Sequence, residues 1–123
     1  MNIITKIQSS FMYLLGALEQ GIINRLINKK QRINHNGIAM TFFIPNALIR
    51  YRIGTFATKE PETLDWIDSF DEGSIFWDIG ANVGLYSCYA AAKRNCEVIA
   101  FEPSVFNLEL LARNISNNSL IDN

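Results

Sequence analysis

Residues 75–103 read IFWDIGANVGLYSCYAAAKRNCEVIAFEP. Ile75–Ile79 is an almost unbroken apolar run, the pattern of a strand buried on both faces of a sheet. Gly80, Ala81, Asn82, Val83 and Gly84 make a glycine loop. Residues 85–93 read as a helix, with Ala90, Ala91 and Ala92 as strong helix formers. Glu97–Phe101 is a second buried-strand pattern, closed by Glu102 and Pro103. This order predicts two parallel neighbouring strands joined by a right-handed crossover. Ser104 is placed to cap a further helix to about residue 115, with Val105, Leu108, Leu111 and Ala112 facing inward. The expected class is α/β: a Rossmann-like doubly wound parallel sheet, truncated after its second βα unit and preceded by an N-terminal helix.

Ligands of such sheets bind at the carboxyl ends of the strands. Gly80 allows a turn with positive φ and a close approach of ligand to backbone. Gly84 lets the next helix sit tightly over the strand. Asn82 stands where many nucleotide loops have a middle glycine, and asparagine tolerates left-handed backbone. Asp78 ends the first strand, where a carboxylate is poor core filling. Glu102 ends the second, where an acid can accept two hydrogen bonds from a ribose diol. The competing reading of Glu102 is a solvated acid beside the Pro103 break. The nucleoside is chosen by charge. The GxGxxG run that cradles a diphosphate is absent, and Asp78 is disfavoured beside a diphosphate. It is favourable beside a sulfonium and an ammonium, which points to S-adenosylmethionine rather than NAD.

Outward from this stretch, residues 58–63 open a short helix. Proline suits its first turn, and Glu60 and Glu62 suit its positive end. Leu64, Ile67 and Phe70 give the buried side. Residues 34–37 are turn chemistry. Residues 38–44 are β-like, and residues 48–56 read as a second extended segment that pairs with them in a hairpin. Residues 3–28 read as one helix whose apolar side chains recur at steps of three and four. Its apolar core, residues 11–18, is too short to span a membrane, and no small-residue cleavage site follows it. The chain thus divides into residues 1–36 (helix and basic tail), 37–74 (lead-in hairpin and short helix) and 75–123 (first half of a cofactor domain).

The chain has 123 residues, one domain at most, with a globular composition of 49% apolar and 19% charged residues. Its net charge of −1 gives no overall basic footprint for nucleic acid. The charge is split. Residues 1–36 carry Lys6, Arg25, Lys29, Lys30 and Arg32 against Glu19 alone, and the acids lie mostly beyond. Cys88 and Cys96 form no CxxC pair, and His35, read as a loop residue, is the only histidine, so no zinc set is present. The two cysteines read as reduced thiols near a core, which suits a cytoplasmic chain.

FWDIGANVGLYS, with VIAFEPSVFNLELLARNISNN after it, resembles the FkbM-type S-adenosylmethionine-dependent methyltransferases over residues 75–118. The combination of DIGAN-x-G, AFEP and two spaced asparagines is distinctive. Arg52 and residues 60–63 resemble the family's lead-in more weakly, and residues 1–36 not at all. The resemblance implies a methyltransferase-type sheet binding S-adenosylmethionine. Asp78, Gly80, Ala81, Asn82 and Gly84 would wall the methionine part. Glu102 would hold the ribose hydroxyls, Pro103 and Ser104 would border the adenine, and Glu60 and Glu62 would lie near the mouth. Asn107 and Asn114 match family asparagines, either as ligands or as caps and packing. Tyr86, Ser87 and Cys88 read as helix packing. The implied reaction is O-methylation of a sugar or secondary-metabolite hydroxyl, so the partner is a small-molecule or glycan acceptor. Such enzymes continue through further strands, and the chain is expected to be an N-terminal fragment of a longer enzyme.

Two alternatives stand beside this reading. One is an NAD-dependent oxidoreductase. The other is a non-catalytic module that uses helix 3–28 and its basic end on a membrane surface or a partner chain.

Overall fold

The computed structural model describes residues 3–122, with side chains from Lys6 onward. The chain is mixed α/β, with six helices and two small sheets among the described residues. Helix α1 spans Ile3–Ile27. Strands β1 (Lys30–His35) and β2 (Ile38–Phe43) form an antiparallel hairpin. Helices α2 (Ala47–Gly54), α3 (Phe56–Lys59) and α4 (Pro61–Asp68) follow. The last part is β3 (Ile75–Ile79), α5 (Leu85–Arg94), β4 (Glu97–Phe101) and α6 (Val105–Asn117). Strands β3 and β4 are parallel, with Asp78 opposite Ala100 and Ile79 opposite Phe101. No described helix is long and apolar enough to cross a membrane.

The parallel βαβ unit forms as its sequence predicts, but a doubly wound sheet does not appear among the described residues. The parallel sheet has two strands, and its faces differ. Phe76 and Asp78 are buried on the side packed by α5, while Trp77 and Ile79 are 60% and 74% exposed on the other. The three apolar residues Ile75, Trp77 and Ile79 share the open face, and the helices cover the face of Phe76 and Asp78. The expectation of burial on both faces is therefore corrected.

The hairpin also differs from expectation. Its partner strand for β2 lies before it, at β1, and not at residues 48–56. Asn36 and Gly37 both take positive φ, 46° and 82°. That is the two-residue turn whose twist matches paired strands. Residues 48–56 are helical instead, because Asn46 caps α2 by accepting the Ile49 N–H at 2.9 Å. His35 is the last residue of β1, with its ring packed edge-on against Phe56 and Tyr89.

The core lies between the hairpin, α2–α4 and the near faces of α5 and α6. Met40, Phe42, Ile53, Leu64, Ile67, Val83 and Tyr89 are almost wholly buried. Leu64 and Ile67 are buried and Phe70 is half-buried, as their helical spacing predicts. In α6 the buried residues are Leu110, Leu111 and Asn114. Val105, Leu108 and Ala112 face outward, so the expected inward stripe is corrected except at Leu111.

Asn114, Asn117 and Asn118 explain that rotation. Asn114 accepts the Phe43 N–H at 3.0 Å and donates to the Val83 carbonyl at 2.8 Å. Asn118 accepts the Thr41 N–H and donates to the Thr41 carbonyl, which Asn117 also contacts. The asparagines of α6 therefore satisfy the edge of β2 that β1 leaves free, as a paired strand would.

Candidate cofactor site at the glycine loop

The loop between β3 and α5 holds three left-handed residues: Gly80 at φ 85°, Asn82 at 55° and Gly84 at 82°. This conformation turns the loop back over the strand ends. The Gly80 and Ala81 N–H groups both donate to the Phe101 carbonyl, at 2.9 and 3.0 Å. Gly84 is buried under α6, and a Cβ there would lie 2.7 Å from Leu111 Cδ1. The close approach that requires this glycine is thus to α6, where the sequence expected one to the strand.

Glu102 joins the two loops that follow the parallel strands. One carboxylate oxygen accepts the Asn82 N–H at 2.8 Å. The other accepts the Ser104 N–H at 2.8 Å and the Asn107 amide at 3.3 Å. The Ser104 N–H, then the Asn82 N–H, the Asn107 amide and the charge of Arg52 hold its carboxyl below the ordinary range, against a smaller opposing effect of burial. Ser104 sits at the N-cap of α6 but makes no side-chain cap. Its contribution is the backbone donor. Asn107 is a support of Glu102, and Asn114 is wholly engaged in packing.

Asp78 lies behind the loop, 9% exposed, with Ser87 Oγ donating to it at 2.5 Å. Burial pushes its carboxyl pKa up, and the Ser87 bonds only partly offset this. A buried, charged Asp78 therefore destabilises the fold at neutral pH, and its cost disappears once the carboxyl is protonated. Asp78→Asn is expected to raise the thermal midpoint at pH 7 by about 2–5 °C. The gain should begin to shrink as pH falls through the raised pKa and vanish only below the ordinary carboxyl value of 3.8, which thermal melts across a pH series will read.

In front of the loop is a cavity of about 220 Å³, lined by Gly80 and Asn82 and, across from them, by Arg52, Phe56, Glu60 and Tyr86. Tyr86 donates to Glu60 at 3.1 Å. Its phenol is pushed up to about 12 by burial and by the carboxylates of Glu60, Glu62 and Asp78. On the lining itself Glu60 faces two cations, Arg52 and Lys59, and the Lys59 ammonium lies 3.4 Å from the Glu60 carboxylate. Asn82 Oδ1 is buried and has no hydrogen-bond partner. Of the residues expected here from sequence, Gly80, Asn82 and Glu60 line the cavity and Glu102 braces it. Asp78, Ala81 and Gly84 are buried and do not line it. Glu62 and Pro103 are exposed. Tyr86 and Phe56 are lining groups that sequence reasoning missed. Tyr86 was legible in principle, being the second residue of the helix that the loop opens.

Nucleophilic thiol chemistry is not supported. Cys88 and Cys96 are buried and free, and burial followed by the nearby Asp78 pushes the Cys88 thiol up to about 12. Among the described residues no group of His, Cys, Asp and Glu could hold a metal ion.

Fold and site together define a parallel βαβ unit with a glycine loop, an acid after the second strand and a polar cavity in front of the loop. The chain matches no family model. It is similar to the hexuronic acid methyltransferase AglP of Haloferax volcanii, at 27% identity over 79 residues. That match covers 64% of this chain and 32% of the relative, so the chain spans about a third of the length of the protein it matches. A distant relative of this chain is thus named as a methyltransferase.

Proposed function

We propose that this chain forms the S-adenosylmethionine-binding part of an FkbM-type methyltransferase, with residues 75–123 as the first half of its cofactor domain. The reading rests most on Glu102, which braces the two loops at the carboxyl ends of β3 and β4. The orphaned Asn82 Oδ1 is the second support, because it offers a buried acceptor to an ammonium or hydroxyl donor. In this reading Gly80 and Asn82 hold the methionine part, backed by Asp78, Ala81 and Gly84. Glu102 holds the ribose hydroxyls, Pro103 and Ser104 border the adenine, and Glu60 and Glu62 lie at the mouth. The bound cofactor supplies a methyl group made electrophilic by its sulfonium. The chain's own part is orientation of that group, since positioning supplies much of the rate of such transfers. The acceptor is a hydroxyl of a sugar or secondary metabolite; the relative's name is in keeping with a sugar.

Calorimetric titration with S-adenosylhomocysteine tests this, with NAD as control and circular dichroism as a check of folding. Binding of the first alone is expected. Glu102→Gln should weaken it about tenfold or more, the usual effect of losing hydrogen bonds to a charged group. A folded chain that takes up no S-adenosylhomocysteine, or takes up NAD equally well, would overturn the assignment.

A further inference from the structure

Helix α1 has no place in the site just described. Its described residues, Lys6 to Ile27, are all exposed. They include Phe11 at 59%, Leu14 at 60%, Leu18 at 64% and Ile22 at 61%. The helix joins the body at its base only, where the Lys29 carbonyl accepts the Ile44 N–H and Asn28 accepts from Arg113 at 2.6 Å. A helix of 25 residues is about 37 Å long, so its apolar face is a substantial uncovered surface.

Two observations select what covers it. The first is charge. Lys6, Arg25, Lys29 and Arg32 are exposed along the helix and just beyond it, and Glu19 is the one acid in residues 1–36. Lys30 is engaged with Asn117 and the Phe43 ring. A second copy would bring like charges together, whereas an anionic surface complements them. The second is periodicity. A left-handed coiled-coil seam with another helix needs a 3.5-residue repeat. Continued from Ile7, Phe11, Leu14 and Leu18, that repeat reaches Gly21, Arg25 and Asn28. The apolar stripe instead drifts on to Ile22 and Leu26, steps of four that carry it around the helix and away from that seam.

We propose that α1 lies in the headgroup region of an anionic membrane and holds the rest of the chain there. The apolar stripe enters the acyl boundary, while Lys29 and Arg32 meet lipid phosphates. This is peripheral attachment, consistent with the absence of a spanning helix among the described residues.

Co-flotation of the whole chain with vesicles tests it. Vesicles of phosphatidylcholine with about a third phosphatidylglycerol should bind the chain, and pure phosphatidylcholine should bind it far less. Raising salt from about 0.05 to about 0.5 M should release most of it. Lys29→Glu with Arg32→Glu should weaken binding to the anionic vesicles about tenfold or more. Leu14→Asp with Leu18→Asp should abolish it, with an unchanged thermal melt because these side chains touch no core. A folded chain that ignores anionic vesicles overturns the proposal, as does equal binding by the Leu14 and Leu18 variant. A dimer in sedimentation that this variant dissolves, without vesicle binding, also overturns it and assigns the face to a second copy. Uptake of S-adenosylhomocysteine should be the same in all these variants, so the two proposals fail separately.

Discussion

Asn114→Ala is expected to destabilise the chain by roughly 3–5 kcal/mol, a large part of what a domain of this size holds. Asn114 is fully buried and makes two hydrogen bonds to backbone, to the Phe43 N–H and the Val83 carbonyl. Alanine leaves both without a partner in a dry environment, at about 1–3 kcal/mol each, and leaves a cavity besides. The same residue ties the glycine loop to the hairpin through Val83, so loosening it should reach the cofactor site. Chemical denaturation reads the loss. Asn117→Ala and Asn118→Ala provide the comparison. Their contacts to Thr41 are only part-buried: the two residues share its carbonyl, and Asn118 also accepts its N–H. Each should cost about 1 kcal/mol or less. Equal losses at all three positions would mean that burial is not what sets the effect.

The residues that sequence reasoning read well are those whose signal is local. An apolar run, a glycine loop and an alanine-rich helix specify β3, the turn and α5 with little help from elsewhere. The left-handed backbone at Gly80 and Asn82 follows from residue type alone. What was misread depends on partners distant in the chain. Strand β1 presents Lys30, Arg32 and Asn34 to solvent and turns Gln31, Ile33 and His35 partly inward. With glutamine and histidine on its inner face, it lacks a clean apolar alternation and reads as a basic tail. In α6 the most buried residue is an asparagine, so an apolar stripe could not locate the inward face. Glu102 was placed correctly at a strand end. Its bonds to Asn82 and Ser104, however, exist only because two loops meet. The bare face of β3 has the same origin: its residues Ile75, Trp77 and Ile79 are the more apolar set, and only packing decides that the helices cover the other face.

Gly84→Ala is expected to cost roughly 2–4 kcal/mol and to lower the thermal midpoint by about 10 °C or more. Two separate effects contribute. Gly84 has φ 82° and ψ 29°, where a Cβ adds about 1–2 kcal/mol of backbone strain. The new methyl group would also lie 2.7 Å from Leu111 Cδ1, and Leu111 is itself 4% exposed, so it has little room to move. Overpacking of that kind costs about 1–3 kcal/mol. A double-mutant cycle separates the two. Leu111→Ala alone should destabilise by leaving a cavity. Combined with Gly84→Ala, it should lose less than the sum, because the overlap is gone while the strain remains. Gly84→Asn gives the opposite dissection, since asparagine accepts the left-handed backbone but keeps the overlap. If the cycle shows no coupling, the contact with α6 is not what demands glycine at this position. The loop's conformation alone would then account for it.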